Sequence, residues 1–305
     1  MFPIIPAASA ADSGNQEGIF GFGYNASTYV GMTNLVSNSG VVASDVSAVG
    51  TARAGAAACE YGGDKGIFGF GGDGSMRSMT NLVSNVGVVG TDVAGVGTAR
   101  YYLAACSYGS DKGIFAFGNT SPGPIVSMSN LVSNAGVVAT DVTGVGTARS
   151  TISACEYGED KGIFGFGENA SGRVGMTNLV SNAGVVATDV AAVGTARNAC
   201  GACSYGEDKG IFAFGSETNS VYADLSNLVS NTGVVASDVA GVGTTRAGVA
   251  ATQYGEDKGI FGFGSPDNGS SYLATTNLVS NVGVVGTDVA GVGTGRQHLA
   301  ACSFN

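Results

Sequence analysis

The stretch Asp64-Lys65-Gly66-Ile67-Phe68-Gly69-Phe70-Gly71 decides how the rest of the chain is read. It returns at 111–118, 160–167, 208–215 and 257–264, and a divergent first copy reads Gln16-Glu17-Gly18-Ile19-Phe20-Gly21-Phe22-Gly23. The Gly-Ile-Phe triplets begin at 18, 66, 113, 162, 210 and 259, a period of 47 to 49 residues. A period near 50 assigns one supersecondary unit to each repeat, in a propeller, solenoid or array. Units of this size bury a continuous core only when stacked, so the six repeats at 15–305 read as one domain. Residues 1–14 read as a tail.

Each repeat reads as four strands. In the second they are Ala56 to Tyr61, Gly66 to Gly71, Met79 to Asn85, and a fourth opened by Val88 to Val93 and running towards Arg100. Short β-branched and aromatic runs bounded by Gly, Asn and Asp are strand and turn signals, and no segment sustains a helical period. Twelve of the 14 phenylalanines are the paired residues of the second strand. Side chains two apart share a strand face, so Phe68 and Phe70 are expected to pack together against the neighbouring sheet.

The termini bear on closure. Ala300-Ala301-Cys302-Ser303-Phe304-Asn305 matches Ala104-Ala105-Cys106-Ser107-Tyr108-Gly109, a first strand with no second strand after it. The chain begins, after its tail, with a second strand that lacks a first. The expected fold is therefore all-β: a six-bladed β-propeller of four-stranded antiparallel blades, closed by the C-terminal strand completing the first blade and leaving no open edge.

A glycine-ended second strand, a variable loop and two strands ending in Gly-Thr-Ala-Arg resemble the Kelch β-propeller repeat over residues 15 to 305. The chain departs from that pattern in having a Gly-Gly pair after the second strand only at Gly71-Gly72 and no Trp. The near-identical Thr-Asn-Leu-Val-Ser-Asn and Gly-Val-Gly-Thr-Ala-Arg copies also resemble propeller proteins encoded by bacteriophages of aquatic bacteria. That resemblance implies a virion or extracellular protein, a tail or surface component contacting a host receptor or a neighbouring virion subunit.

Composition excludes several classes. The 305 residues carry a net charge of −10, with 44% hydrophobic and 12% charged residues and 52 glycines. That is ordered β-structure with tight turns rather than a disordered polymer. Of the 13 basic residues, only Arg77 and Arg173 lie outside fixed repeat positions, so the basic stripe that nucleic acid requires is missing. Residues 1–14 hold no basic residue, and Pro3 and Pro6 interrupt their apolar run, which is not a Sec signal. No apolar run reaches the 18 residues of a membrane-spanning helix.

Candidates for chemistry are few. One Asp and one Arg recur eight residues apart, from Asp45/Arg53 to Asp288/Arg296, and six equal copies read as structural pairs holding turns between blades. Five of the six cysteines share one first-strand position, where Thr252 fills the sixth slot. Equivalent positions of different blades point in parallel, so all six thiols are expected to be reduced rather than bridged, and five of them buried. Cys200-Gly201-Ala202-Cys203 lacks a second ligand pair for zinc, and His298 is the only histidine. The sequence therefore predicts no catalytic residue, metal or cofactor. The alternative, a secreted carbohydrate-active enzyme on the same scaffold, needs a spaced carboxylate pair among Asp73, Glu168, Glu217, Asp224 and Asp267.

Differences among the repeats are more informative. The segments after the second strand (24–32, 72–79, 119–128, 168–176, 216–225 and 265–275) vary in length and content, as do the residues after each repeat Arg. In an antiparallel blade both connections leave the same end. Six of the 11 tyrosines fall there, so the expected partner-binding residues are Tyr24, Tyr29, Arg77, Tyr101, Tyr102, Arg173, Tyr222, Tyr272 and His298. Tyr with Ser, Gly and Asn is the composition of a recognition surface. The expected function is non-enzymatic binding of a host surface glycan or protein, or of other virion proteins through residues 1–14, with no membrane insertion. Pure assembly, with that tail as a docking peptide, is the further reading.

Overall fold

The Phe-Gly-Phe segment turns instead of continuing as a strand, and this sets the geometry of every repeat. In the computed structural model, which describes residues 16–304, the middle strands are Glu17–Gly21, Lys65–Gly69, Lys112–Ala116, Lys161–Gly165, Lys209–Ala213 and Lys258–Gly262. Each stops before its second Phe, which takes a left-handed φ of 62 to 65°. Phe68 and Phe70 therefore do not share a strand face, correcting the expectation from their spacing. The second Phe packs instead on the first Phe of the next repeat: Phe22 meets Phe68 edge-on at 5.1 Å and Phe70 meets Phe115 at 5.2 Å. Phe20 meets Phe263 at 5.2 Å, joining repeat 1 to repeat 6.

Each middle strand is flanked by two antiparallel partners. The inner strands are Ala57–Tyr61, Ala104–Tyr108, Ser153–Tyr157, Gly201–Tyr205, Ala250–Tyr254 and Ala300–Phe304. The outer strands are Thr33–Val36, Thr80–Val83, Ser129–Val132, Thr177–Val180, Ser226–Val229 and Thr276–Val279. The result is six three-stranded sheets, and no helix forms among the described residues. The sheet of repeat 1 is built from both ends of the chain, with Ile19 opposite Cys302 on one side and Leu35 on the other. Inner strands lie beside one another in sequence order, and Ala300–Phe304 neighbours both Ala57–Tyr61 and Ala250–Tyr254. The tail at 1–14, with its expected docking role, lies outside the described residues.

The expected fourth strand does not form. Its residues make isolated bridges only, Val83 to Val89 and Thr80 to Val93 in repeat 2, and these are one residue out of register with each other. The cause is Asn81, whose side-chain amide donates to the Gly90 carbonyl at 3.0 Å and to Asp92 Oδ1 at 2.9 Å, drawing the segment inward between the bridges.

The glycines of the middle strand are explained by the neighbouring repeat. A Cβ on Gly66 would stand 2.5 Å from Cys302 Sγ, and one on Gly113 would stand 2.4 Å from Cys59 Sγ. The six cysteines are free, as expected, and Cys200 is buried along with the expected five, whose inner-strand positions use sulfur to fill this slot. Thr252 fills it against Gly18 with a methyl group. Cys203 belongs to the set, and burial pushes its thiol up to about 12. Cys200 sits apart, with its Sγ against the Asn198 carbonyl.

The arginines join the repeats. Arg53 lies over the Phe22 ring of its own repeat at 4.1 Å. It donates to the Phe70 carbonyl at 2.7 Å and to Asn81 Oδ1 at 2.6 Å in the next. Its acidic neighbour is Asp92, at 3.9 Å, rather than Asp45 eight residues before it. Asp92 in turn takes the Thr51 amide at 2.9 Å and hydroxyl at 2.7 Å. Burial alone would raise Asp92, but Thr51, Asn81 and Arg53 hold it below the ordinary carboxylate range. The Arg53 guanidinium is fully buried, which lowers it to about 10 despite Asp92, and it stays charged at neutral pH. The same set recurs around the chain to Arg296, which binds Phe22, Asn34 and Asp45 of repeat 1. Arg149 is rotated, donating to the Met176 carbonyl and Asn178, and its Nε has no hydrogen-bond partner.

Candidate ligand-binding site

The two residues after each repeat Arg do different work. The first bridges to the start of the variable loop: Ala54 to Gly72, Tyr101 to Asn119, Ser150 to Glu168, Asn198 to Ser216, Ala247 to Ser265 and Gln297 to Tyr24. These bridges bring both variable connections to one end of the sheets. The second takes a left-handed φ of 52 to 66° and donates its N–H to the equivalent carbonyl of the preceding repeat. Tyr102 donates to Gly55, Thr151 to Tyr102, Ala199 to Thr151, Gly248 to Ala199, His298 to Gly248, and Gly55 to His298, all at 2.8 to 3.0 Å. The six bonds return to their starting residue.

Above the circle lies a depression of about 250 Å³. Its polar wall comes from repeats 4 and 5 and is held together by the nearly buried Asn198. Asn198 Nδ2 donates to Glu168 Oε2 at 2.8 Å, and its Oδ1 accepts from Arg173 Nε at 3.2 Å. Arg173 also donates to Asn219 Oδ1 at 2.9 Å and to the Glu217 carbonyl at 3.3 Å. No ion pair of Arg173 occurs among the described residues. The wall therefore carries one carboxylate and one guanidinium linked through a neutral amide. Gln297, Ser265 and Asn268 continue the rim.

The aromatic side is organised by Tyr102. Its ring lies 4.3 Å from Tyr101 and 4.8 Å from the His298 imidazole. Burial, then the neighbouring Tyr101, pushes Tyr102 up to about 12. The His298 ring keeps some exposure, but the atoms around it strip away water and push it down to about 4, so it is neutral at physiological pH.

Four of the nine expected residues line the depression: Tyr102, Arg173, Tyr222 and His298. Tyr101 stacks behind Tyr102. Tyr24, Tyr29 and Tyr272 form a separate cluster, with Tyr24 5.4 Å from Tyr29 and 6.1 Å from Tyr272, joined to the rim through the Tyr24–Gln297 bridge. Arg77 is not brought into the group. It pairs with Asp73 of its own loop at 2.8 Å and lines a side hollow with Met76 and Met79. Of the five carboxylates that an enzyme would draw on, Glu168 alone lines the depression. Sequence reasoning passed over Asn198, Asn219 and Gln297 as site residues. For Asn198 and Gln297 the available signal was a polar residue directly after the repeat Arg, where two other repeats carry Ala54 and Ala247.

Four of the variable loops are turned by their own side chains. Asn25 Oδ1 accepts the amides of Ser27 and Thr28, Asn119 that of Ser121, and Asn169 those of Ser171 and Gly172. Asp73 does the same for Ser75. Such Asx turns hold the loop tips without a partner. No family model matches the chain, and no curated protein matches it.

Proposed function

We propose that the six sheets are the blades of one closed β-propeller, and that its variable end is a non-enzymatic recognition surface centred on the depression. Closure is supported by the pairing of Ala300–Phe304 with Glu17–Gly21, by the contact of that strand with Ala250–Tyr254, and by the circle of six backbone bonds. The observation that carries the function is convergence. Six repeats with the same Arg, Asn, Asp and Thr differ where their connections meet, and four of the expected residues line one small polar and aromatic hollow. A preformed concave site with few oriented polar groups is what a small ligand or a protruding partner group requires. In the setting suggested by the phage resemblance, the partner is a host surface glycan or protein, or a neighbouring virion subunit.

The test uses fluorescently labelled protein on a panel of intact bacterial cells. Tyr101→Ala with Tyr102→Ala should abolish attachment while leaving the melting temperature nearly unchanged, because Ala54 and Ala199 occupy the equivalent positions. Lys112→Ala, in a strand-starting turn at the opposite end, should leave attachment intact. Attachment lost with Lys112→Ala and kept with the tyrosine pair replaced would assign recognition to the constant turns.

A further inference from the structure

We propose that the depression seats one uncharged sugar ring, the terminal residue of a glycan; the proposal rests on the recognition reading above. The first argument is charge. Glu168 and Arg173 stand on either side of Asn198, and His298 is neutral, so the hollow offers no excess of either sign. A phosphate or sulfate would face the Glu168 carboxylate, and a cationic group would face the Arg173 guanidinium.

The second argument is geometry. The wall consists of planar forked groups: the carboxylate of Glu168, the amides of Asn198 and Asn219, and the guanidinium of Arg173. A pyranose presents neighbouring hydroxyls, each both donor and acceptor, and a planar fork meets two of them at once. Arg173 has five N–H groups, of which three are used by Asn198, Glu217 and Asn219, so two remain for a ligand. Asn198 is itself fixed by partners on both sides, so its ordering is complete before binding and adds little to the cost of association.

The third argument is that the hollow also offers aromatic rings. The face of a sugar ring carrying axial C–H bonds is apolar and suits an aromatic side chain with a polar tip. Tyr102 supplies such a ring beside the polar wall, with Tyr101 packed against it, and Tyr222 supplies another on that wall, its hydroxyl donating to the Asn219 carbonyl at 3.3 Å. The fourth argument is size and asymmetry. About 250 Å³ is below the range for drug-sized ligands and admits a single ring rather than a peptide segment. Repeats 4 and 5 give the polar wall, whereas repeats 2 and 6 place Gly55 and Gly248 in the circle, so the site distinguishes the edges of a chiral ligand.

The experiment measures binding of glucose, galactose, mannose, N-acetylglucosamine and glucuronate to the full chain by saturation-transfer NMR and calorimetry. Each is also tested as the free sugar and as a terminal residue on an immobilised oligosaccharide. At least one neutral sugar should bind with a Kd of roughly 1 mM and compete with cell attachment. Asn198→Ala, a residue already present as Ala247 in repeat 6, should weaken binding about tenfold or more with an unchanged melting temperature. Gln297→Ala provides a second variant should Asn198→Ala unfold. Preference for glucuronate overturns the charge argument and with it the proposal. No binding of any free sugar at about 0.1 M, a hundred times the expected Kd, and none to any immobilised oligosaccharide, while the Tyr101/Tyr102 variant still loses attachment, overturns the sugar and keeps the recognition end. Sugar binding unchanged by both Asn198→Ala and Gln297→Ala moves the sugar to another site. Attachment unaffected by the tyrosine substitutions overturns the recognition reading itself. Binding only of the immobilised oligosaccharide supports a glycan end, and equal affinity for the free sugar removes that part of the proposal.

Discussion

Arg100 and Tyr102 are two residues apart and obey different rules. Arg100 is one of six identical side chains, each fully buried, each lying over a Phe of its own repeat and bonded to a carbonyl or an Asn of the next. Tyr102 shares its backbone geometry with Gly55, Thr151, Ala199, Gly248 and His298, and nothing in its side chain is common to them. The difference lies in what each neighbouring repeat contacts. At Arg100 the neighbour contacts the guanidinium, so any change leaves buried acceptors unmatched. At Tyr102 the bonds that recur in every repeat use only the N–H and C=O, which every residue but Pro supplies, so the side chain can vary.

The comparison breaks most completely if the joint between the chain ends is removed. Deleting residues 297–305 takes away the inner strand of repeat 1 and exposes the Glu17–Gly21 edge together with the side of Ala250–Tyr254. Loss of soluble monomer, followed by size-exclusion chromatography and thermal melting, is the expected outcome. A monomeric truncation that melts like the parent would show that these strands carry no joint.

Arg100→Met tests the constant set directly. It strands Asn130 and the Phe117 carbonyl in the interior, and the expected loss is about 3–5 kcal/mol by denaturant unfolding, the cost of breaking a buried charged network from one side. The pH dependence follows from the acids. Asp141 is held below its ordinary range, so its contribution is present above the unfolded value near 3.9 and is lost as pH falls through the lower folded value. Thr98 and Asn130 lower Asp141 more than Arg100 does, so Arg100→Met should flatten the acid limb of the stability curve only slightly.

A paired glycine experiment sharpens the comparison within a single strand. Gly66→Ala should cost about 1–3 kcal/mol, because the new methyl meets the Cys302 sulfur and the backbone has no room to retreat. Gly69→Ala should cost less, since Ala116 and Ala213 occupy that position in repeats 3 and 5. Adding Cys302→Ala to Gly66→Ala should restore part of the loss. Cys106→Thr should stay within about 1–2 kcal/mol, as Thr252 fills the same slot.

The smallest effect is expected at Glu156, which lines a hollow among the inner strands together with Glu60. Burial, then the Glu60 and Asp160 charges, push its carboxyl well above the usual range. The folded protein thus keeps a proton there that the unfolded chain releases near 4.3, and stability falls as pH rises above that value. Glu156→Gln, matching Gln253 of repeat 6, should raise the melting temperature at pH 7 and leave it unchanged at pH 4. An equal rise at both pH values would show that packing, not charge, is responsible.

The sequence by itself determined the repeat, the strand order within it, the complementary ends and the burial of the thiols. Each of these is a local or periodic property: turn residues, β-branched runs and identical spacing constrain the backbone wherever the repeat recurs. The same reasoning located the end at which the variable connections meet, because strand direction alone settles it. Tertiary structure decided what each repeated side chain touches. Phe70 packs on Phe115 rather than Phe68, Arg53 reaches Asp92 rather than Asp45, and Asn81 replaces a fourth strand by drawing the chain inward. All three partners lie in another repeat or across a turn, at distances along the chain that no local pattern encodes. The depression was hidden for the same reason. Asn198, Glu168 and Arg173 become neighbours only when successive repeats are set side by side, and a polar residue after an Arg has no meaning until the next repeat supplies its wall.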